Sequence, residues 1–348
     1  MAGDDIRIVL EPDDEYTHTP DEASNYNESM YLNAFDIERG HGGWFRLGNR
    51  VNEGYAEMTV CLYLADGRVG FTYKRPTIET NDEMRAGGLH IEVVEPFEHL
   101  RIAYDGRITL LDDPGAMADP RTAFAENPRV GCTVDLDVRG LSPMWGGRPV
   151  NADGSDIETD AERSFAKAHY EQHTTVTGTI TIDEPDGRTP IVMEIDGYGL
   201  RDKSWGPRYW QAISWYRWLP MVFGDDLAMM LSIVDRPDGE PRRSGMVFDG
   251  ERYHQVRDVQ LTSTWNEAGE QTGMTAVATT DERTYEVKGE VISLIPLRNR
   301  RPSPDGEMLT TRITEAMTRY ECDGKVGMGM SEYLDQVVDG RPIGPDVT

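Results

Sequence analysis

The residues best suited to chemistry lie in one stretch, GYGLRDKSWGPRYWQAISWYRWLP, at positions 197–220. Four of the seven tryptophans (Trp205, Trp210, Trp215 and Trp218) fall directly behind the charged triplet Arg201, Asp202 and Lys203. A carboxyl group in an aromatic pocket loses solvation, so its pKa rises and it becomes a general acid near neutral pH. An adjacent arginine or lysine works against that rise. Tryptophan and tyrosine faces stabilise a carbocation, or grip a polyene or steroid. Asp202 is therefore a candidate proton donor, with Lys203 beside it. Tyr198, Arg201, Trp205, Tyr209, Trp210 and Trp215 are the candidate substrate-binding walls. A structural reading stands next to this one: Asp202 salt-bridged to Arg201 or Arg208 as a lock between domains, with Trp205 packed under one of the two arginines.

Other constellations are thinner. Asp225-Asp226 is either a turn or a second acid/base site. His90 and Glu92 share a strand face that lines a barrel interior or meets solvent. Gly42-Gly43-Trp44 with Arg46 offers a second tryptophan–arginine closure and makes Trp44 a pocket candidate. His169 and His173 have metal-ligand spacing on a helix, but there is no H-E-x-x-H and no third ligand, so a solvated helix face is expected and no metal. His41-Gly42-Gly43 without any G-x-S-x-G argues against a serine hydrolase. No Walker A or Rossmann glycine pattern occurs, so no cofactor is expected.

The elements that must position these groups read mainly as strands. TTVTGTITI (174–182), LHIEVVEP (89–96) and TYEVKGEVISLIPL (284–297) alternate with period two, and HLRIAYDGRITLL (99–111) reads as two short strands about Asp105-Gly106. Ten Asp-Gly pairs, beginning at Asp66, Asp105, Asp153, Asp186, Asp196, Asp238, Asp249, Asp305, Asp323 and Asp339, suit type I′ hairpins. Together they predict antiparallel barrels or sandwiches, not a parallel α/β fold. Thr159 and Glu162 form a capping box ahead of a helix over 160–173; 20–35 is a second, short helix; 143–156 is a polar loop. Shifting the chain by 172 residues matches Leu47 with Leu219, Ala56 with Ala228, Met58 with Met230 and Asp66-Gly67 with Asp238-Gly239. A second echo pairs GYGLRD (197–202) with GMGMSE (327–332), two glycines and then an acid, as in the closing strand of a barrel. Two related β-domains follow, 1–200 and 201–348.

Composition narrows the function. A net charge of −27 argues against nucleic acid and anionic membranes as partners, since both require a basic patch. Cys61, Cys132 and Cys322 are widely spaced and odd in number, which suits reduced thiols in a cytoplasm. The acidic N-terminus has no apolar signal region, and no run is long enough to span a membrane.

The run TGTITI…DGYGLRDKSWG (177–206) resembles the signature of the AttH/carotenoid 1,2-hydratase-like superfamily. WYRWLPMVFGDDLAMML…RPDG (215–239), NESMYLNAF (27–35), GGWFRLG (42–48) and GMSEYL (329–334) extend the resemblance over most of the chain. It implies an all-β fold of two lipocalin-like (calycin) antiparallel barrels, a large apolar ligand, and neither metal nor nucleotide. Activities in that superfamily include hydration of a carotenoid double bond, and fungal relatives act as Diels–Alder cyclases. Lys203 stands where the superfamily carries a histidine implicated in hydratase catalysis. The expectation is a cofactor-independent enzyme acting on an isoprenoid, steroid-like or polyketide substrate by hydration, dehydration, isomerisation or cyclisation. The rival is a carrier that shields a lipophile unchanged. A homodimer is compatible with either.

Overall fold

A computed structural model describes residues 6–161, 163–237, 239–302 and 306–344. The first sheet contains β1 (Arg7–Val9), β2 (Tyr26–Asp36), β3 (His41–Arg50), β4 (Tyr55–Tyr63), β5 (Val69–Lys74) and β6 (Arg85–Ala86). It continues with β7 (Leu89–Glu95), β8 (His99–Leu111), β9 (Arg129–Gly140), β10 (Trp145–Val150), β11 (Ala168–Ile182) and β12 (Ile191–Pro207). The second sheet contains β13 (Trp215–Gly224), β14 (Leu227–Asp235), β15 (Arg242–Phe248), β16 (Tyr253–Trp265) and β17 (Gln271–Thr280). It ends with β18 (Thr284–Pro302), β19 (Met308–Cys322), β20 (Lys325–Val338) and β21 (Arg341–Pro342). In the second sheet β20 pairs back onto β13, which closes an eight-stranded antiparallel barrel. In the first, β9 bridges β8 and β11 and completes a circuit through β12, β2, β3, β4 and β5. The protein is thus all-β with two calycin-type units. Residue 200 lies inside β12, and the chain passes from one sheet to the other between Pro207 and Trp215.

Each barrel is filled by its own side chains. Met30, Leu32, Phe45, Leu47, Val60 and Leu136 belong to the first core. Leu219, Met221, Met229, Leu231, Val287 and Tyr333 belong to the second. A third cluster, including Tyr31, Phe35, Trp44, Tyr63, Met317 and Met330, joins the barrels. Both interiors are occupied by these side chains. No helix among the described residues is long and apolar enough to cross a membrane.

The two sequence echoes acquire physical meaning here. The 172-residue shift carries β4 onto β14 end to end. The glycine pairs sit where each closing strand crosses its neighbour. A Cβ on Gly197 or Gly199 would lie 2.1 Å from the Phe35 carbonyl oxygen or 1.8 Å from that of Asn33; on Gly327 or Gly329 it would lie 2.5 or 2.0 Å from those of Val222 and Pro220. Type I′ geometry holds at Asp323-Gly324 and Asp339-Gly340, where all four residues have positive φ.

Several local expectations are corrected. Residues 168–173 are not helical but begin β11, and Glu162 of the capping box lies outside the described residues, as do Asp238 and Asp305. Residues 26–35 are strand β2, not helix, and β2 is buried on both faces. β2 lacks visible alternation because Met30, Leu32 and Ala34 pack in the first core while Tyr31 and Phe35 on the other face pack in the cluster that joins the barrels. Asp105-Gly106 and Asp196-Gly197 fall within continuous strands: β8 pairs with β9 through Gly106, and β12 with β11 through Gly197. Part of the expected loop 143–156 is strand β10. The one α-helix among the described residues, α1 (Pro120–Glu126), starts at the proline of an Asp-Pro step and has no counterpart in the sequence reading.

Candidate active site

A cavity of about 740 Å³ opens between the barrels, a volume suited to a steroid-sized molecule. Its central wall follows from strand register. On the first barrel, Tyr31 of β2 lies opposite Asp202 of β12, which lies opposite Glu171 of β11. On the second, Trp218 of β13 lies opposite Glu332 of β20, which lies opposite Glu315 of β19. Each barrel therefore presents an aromatic–acid–acid row from three adjacent strands, and all six residues line the cavity. The rows face each other: the rings of Tyr31 and Trp218 meet edge-on at 5.4 Å. Trp218 Nε1 donates to Glu171 Oε1 at 2.9 Å.

The acids have distinct environments. Asp202 is bonded to His169 Nε2, and Glu332 accepts from the Tyr216 hydroxyl. Burial, reinforced by the Asp202 charge, pushes Glu332 up to about 8. Burial likewise pushes Glu315 up to about 8, and one of its oxygens has no hydrogen-bond partner. Burial raises Glu171 too, and the charge of His169 limits the rise to about 7. Burial alone would lower His169, but the Asp202 carboxylate outweighs it and holds the imidazole up at about 9. Half of the His169 side chain is accessible, and the surface it shows faces the cavity. At neutral pH the site thus holds a protonated His169 hydrogen-bonded to Asp202, beside Glu332 and Glu315, which keep their protons, and Glu171, which is partly ionised. Such a split between neighbouring carboxyl groups is what separates an acid role from a base role.

His169, Glu171 and Asp202 bring a nitrogen and two carboxylate oxygens within 4.8 Å of one another. The hydrogen bond between His169 and Asp202, and the cross-strand pairing of Glu171 with Asp202, account for that closeness.

Among the residues expected from sequence, Asp202, Trp44 and Trp210 line this cavity. Asp202 pairs with His169 and with neither Arg201 nor Arg208, so the ion pair expected in the structural reading does not form. The others lie elsewhere. Arg201 and Lys203 project from the opposite face of β12, because side chains alternate along a strand. Arg201 pairs with Glu15 at 2.8 Å. Lys203 pairs with Glu28 at 3.0 Å and donates to the carbonyls of Asp14 and Tyr16 at 2.7 and 2.5 Å. These cations fasten the N-terminal segment over the barrel end. Trp205 stacks on His18 at 4.1 Å, and its cation is Lys203 at 5.3 Å, not an arginine. Trp215 packs in the second core with Arg217 over its ring at 5.3 Å. Tyr209 is half-buried outside the cavity lining. Tyr198 donates to Asp225 at 2.9 Å on another part of the surface, so Asp225 is a turn residue and no acid of this site. His90 bonds Arg85 at 3.0 Å and shares the outer face with exposed Glu92, while Leu89 and Ile91 point into the core.

Sequence reasoning missed Glu171, Glu315 and Glu332, and it set His169 aside as part of a solvated helix face. Among the three acids only Glu332 left a signal, as the acid closing the second glycine-pair echo.

The family described as "Domain of unknown function (DUF7064)" matches residues 11–337. The chain belongs to that family. No curated protein matches it significantly. The solved structure of CghA is 12% identical with a TM-score of 0.53, covering 94% of this chain and 96% of CghA. A putative AttH from Nitrosomonas europaea is 11% identical, also with a TM-score of 0.53 and coverages of 94% and 96%. Kievitone hydratase from Nectria haematococca is 9% identical with a TM-score of 0.51, covering 94% and 92%. These likenesses establish the fold of the AttH/carotenoid hydratase-like proteins for this DUF7064 member.

Proposed function

We propose that this protein is a cofactor-independent enzyme that moves protons at a double bond of a large, mainly hydrophobic substrate held between the barrels. The observation that carries the reading is the Asp202–Glu332 pair: two acids at equivalent places in the two barrels, one hydrogen-bonded to His169 and one retaining its proton, on a single cavity. In the hydration direction Glu332 gives its proton to one alkene carbon. The faces of Tyr31 and Trp218 and the Asp202 carboxylate stabilise the cation that forms. Water adds to the cation and releases a proton to Asp202, and exchange with solvent restores both groups. Dehydration is the reverse. Loss of a different proton gives isomerisation, and attack by a second double bond gives cyclisation. One relative of this fold is, by name, a hydratase, which agrees with this class. Isoprenoid, steroid-like and polyketide skeletons all suit the cavity's size and aromatic walls.

A carrier needs no titratable group in its pocket, whereas this cavity concentrates five carboxyl groups and a histidine, which favours catalysis. The test is to purify wild type and Glu332→Gln from the native host without detergent and identify extracted lipophiles by mass spectrometry. Different molecules related by water, or by isomerisation, are expected from the two proteins. The same molecule from both would favour the carrier and overturn the enzyme reading.

A further inference from the structure

Arg208, just beyond β12, lines the cavity and has no carboxylate partner among the described residues, although it is only 7% exposed. Its guanidinium lies 4.0 Å from the Phe165 ring centroid and 5.8 Å from that of Trp210. It donates to Ser204 Oγ at 2.7 Å, and its Nε has no partner. The nearby acid Asp202 is engaged by His169. Arg46, on the same wall, gives Nη1 to Glu57 at 3.2 Å, and its Nη2 has no partner. Glu57 is already shared with Arg75 at 3.5 Å and Arg301 at 3.1 Å, and Arg50 is paired with Glu53. On this wall four guanidinium groups, those of Arg46, Arg50, Arg75 and Arg301, thus share the carboxylates of Glu57 and Glu53, and Arg208 pairs with neither, in a chain of net charge −27.

A buried cation without a counter-ion is costly, and the cost is relieved by an anion that enters the site. Burial, with the charge of Arg46 added, lowers Arg208 only to about 9, so it stays charged at neutral pH. We propose that Arg208 and Arg46 form an anion subsite, and that the cavity's ligand is an amphipathic organic anion whose carboxylate or phosphate head rests on these two groups. The hydrocarbon part then runs past Tyr31 and Trp218 toward Glu332. This names the substrate class for the site proposed above and relies on that reading only for taking the bound molecule as substrate.

The probe is the quenching of cavity tryptophans in the full chain by dodecanoate, dodecyl phosphate or dodecanol, each below its micellar concentration. At least one anion is expected to bind roughly ten- to hundredfold tighter than the alcohol, as suits hydrogen bonds to a charged partner. The tighter of the two identifies the head group. Arg208→Gln should erase the preference and Arg46→Gln should reduce it. Equal affinity for dodecanol and both anions in wild type overturns the proposal, as does a folded Arg208→Gln that keeps the full preference. If that variant does not fold, the wild-type comparison and Arg46→Gln decide. Turnover is not read, so failure of the acid–base mechanism leaves this outcome intact.

Discussion

Glu332→Gln is expected to lower turnover by about 10²–10⁴-fold, the usual contribution of a positioned general acid. The amide keeps the shape of the side chain and can still accept from Tyr216, but it has no acidic proton to give. Its melting temperature should stay close to that of wild type, because Glu332 is already uncharged at neutral pH. The pH profile adds a sign. The acid form of a group at about 8 is present below that pH, so wild-type turnover should fall as pH rises through it. The measurement is single-turnover kinetics on the lipophile recovered from the variant. Full activity in Glu332→Gln would remove Glu332 from the mechanism and leave His169 and Glu171 as the proton donors next to Asp202.

The second large effect is on stability. Glu28 is fully buried and meets Lys203 at 3.0 Å, His18 at 2.8 Å and Asn81 at 2.7 Å. Glu28→Ala leaves the Lys203 ammonium buried and uncompensated, so a loss of about 3–5 kcal/mol is expected in urea unfolding. Replacing Glu28 and Lys203 together by methionine should recover much of that loss, since the orphaned charge is gone. A loss below about 1 kcal/mol in Glu28→Ala would show that the pair holds little of the structure. Burial alone would raise the Glu28 carboxyl, but the hydrogen bond from His18 and the charge of Lys203 overcome it and bring it down to about 2. A carboxyl depressed in the folded state binds fewer protons there than in the unfolded chain. Its stabilisation is therefore present above the ordinary glutamate value and is lost as pH falls toward about 2.

Much of this architecture was legible in the sequence. The period-two runs, the Asp-Gly turns and the family-like element at 197–206 led to two calycin barrels, and the glycine pairs marked both closing strands. Asp202 was legible because it follows one of those pairs. Lys203, Arg201, Trp205 and Trp215 misled, because local crowding of charges and aromatics looks like a pocket when strand alternation in fact sends neighbours to opposite faces. The stretch resolves into two structures: Asp202 and Trp218 on the cavity, and a cationic lock over the barrel end. His169 and Glu171 were hidden in a segment read as helix. Strand β11 packs Ala168 and Tyr170 on one side and a polar cavity on the other, so both faces are covered and hydrophobic alternation disappears. Glu315 and Glu332 came into view only once cross-strand register set them side by side, and register is not written in any short window of sequence.

The account turns on a carboxyl that keeps its proton at neutral pH. Infrared difference spectra of ¹³C-glutamate-labelled wild type against Glu332→Gln, taken across the pH range, read that proton directly. The account predicts a protonated carboxyl stretch that persists to about pH 8 and is missing from the variant. A Glu332 band lost near pH ~4.3, the ordinary range of a glutamate, would contradict it.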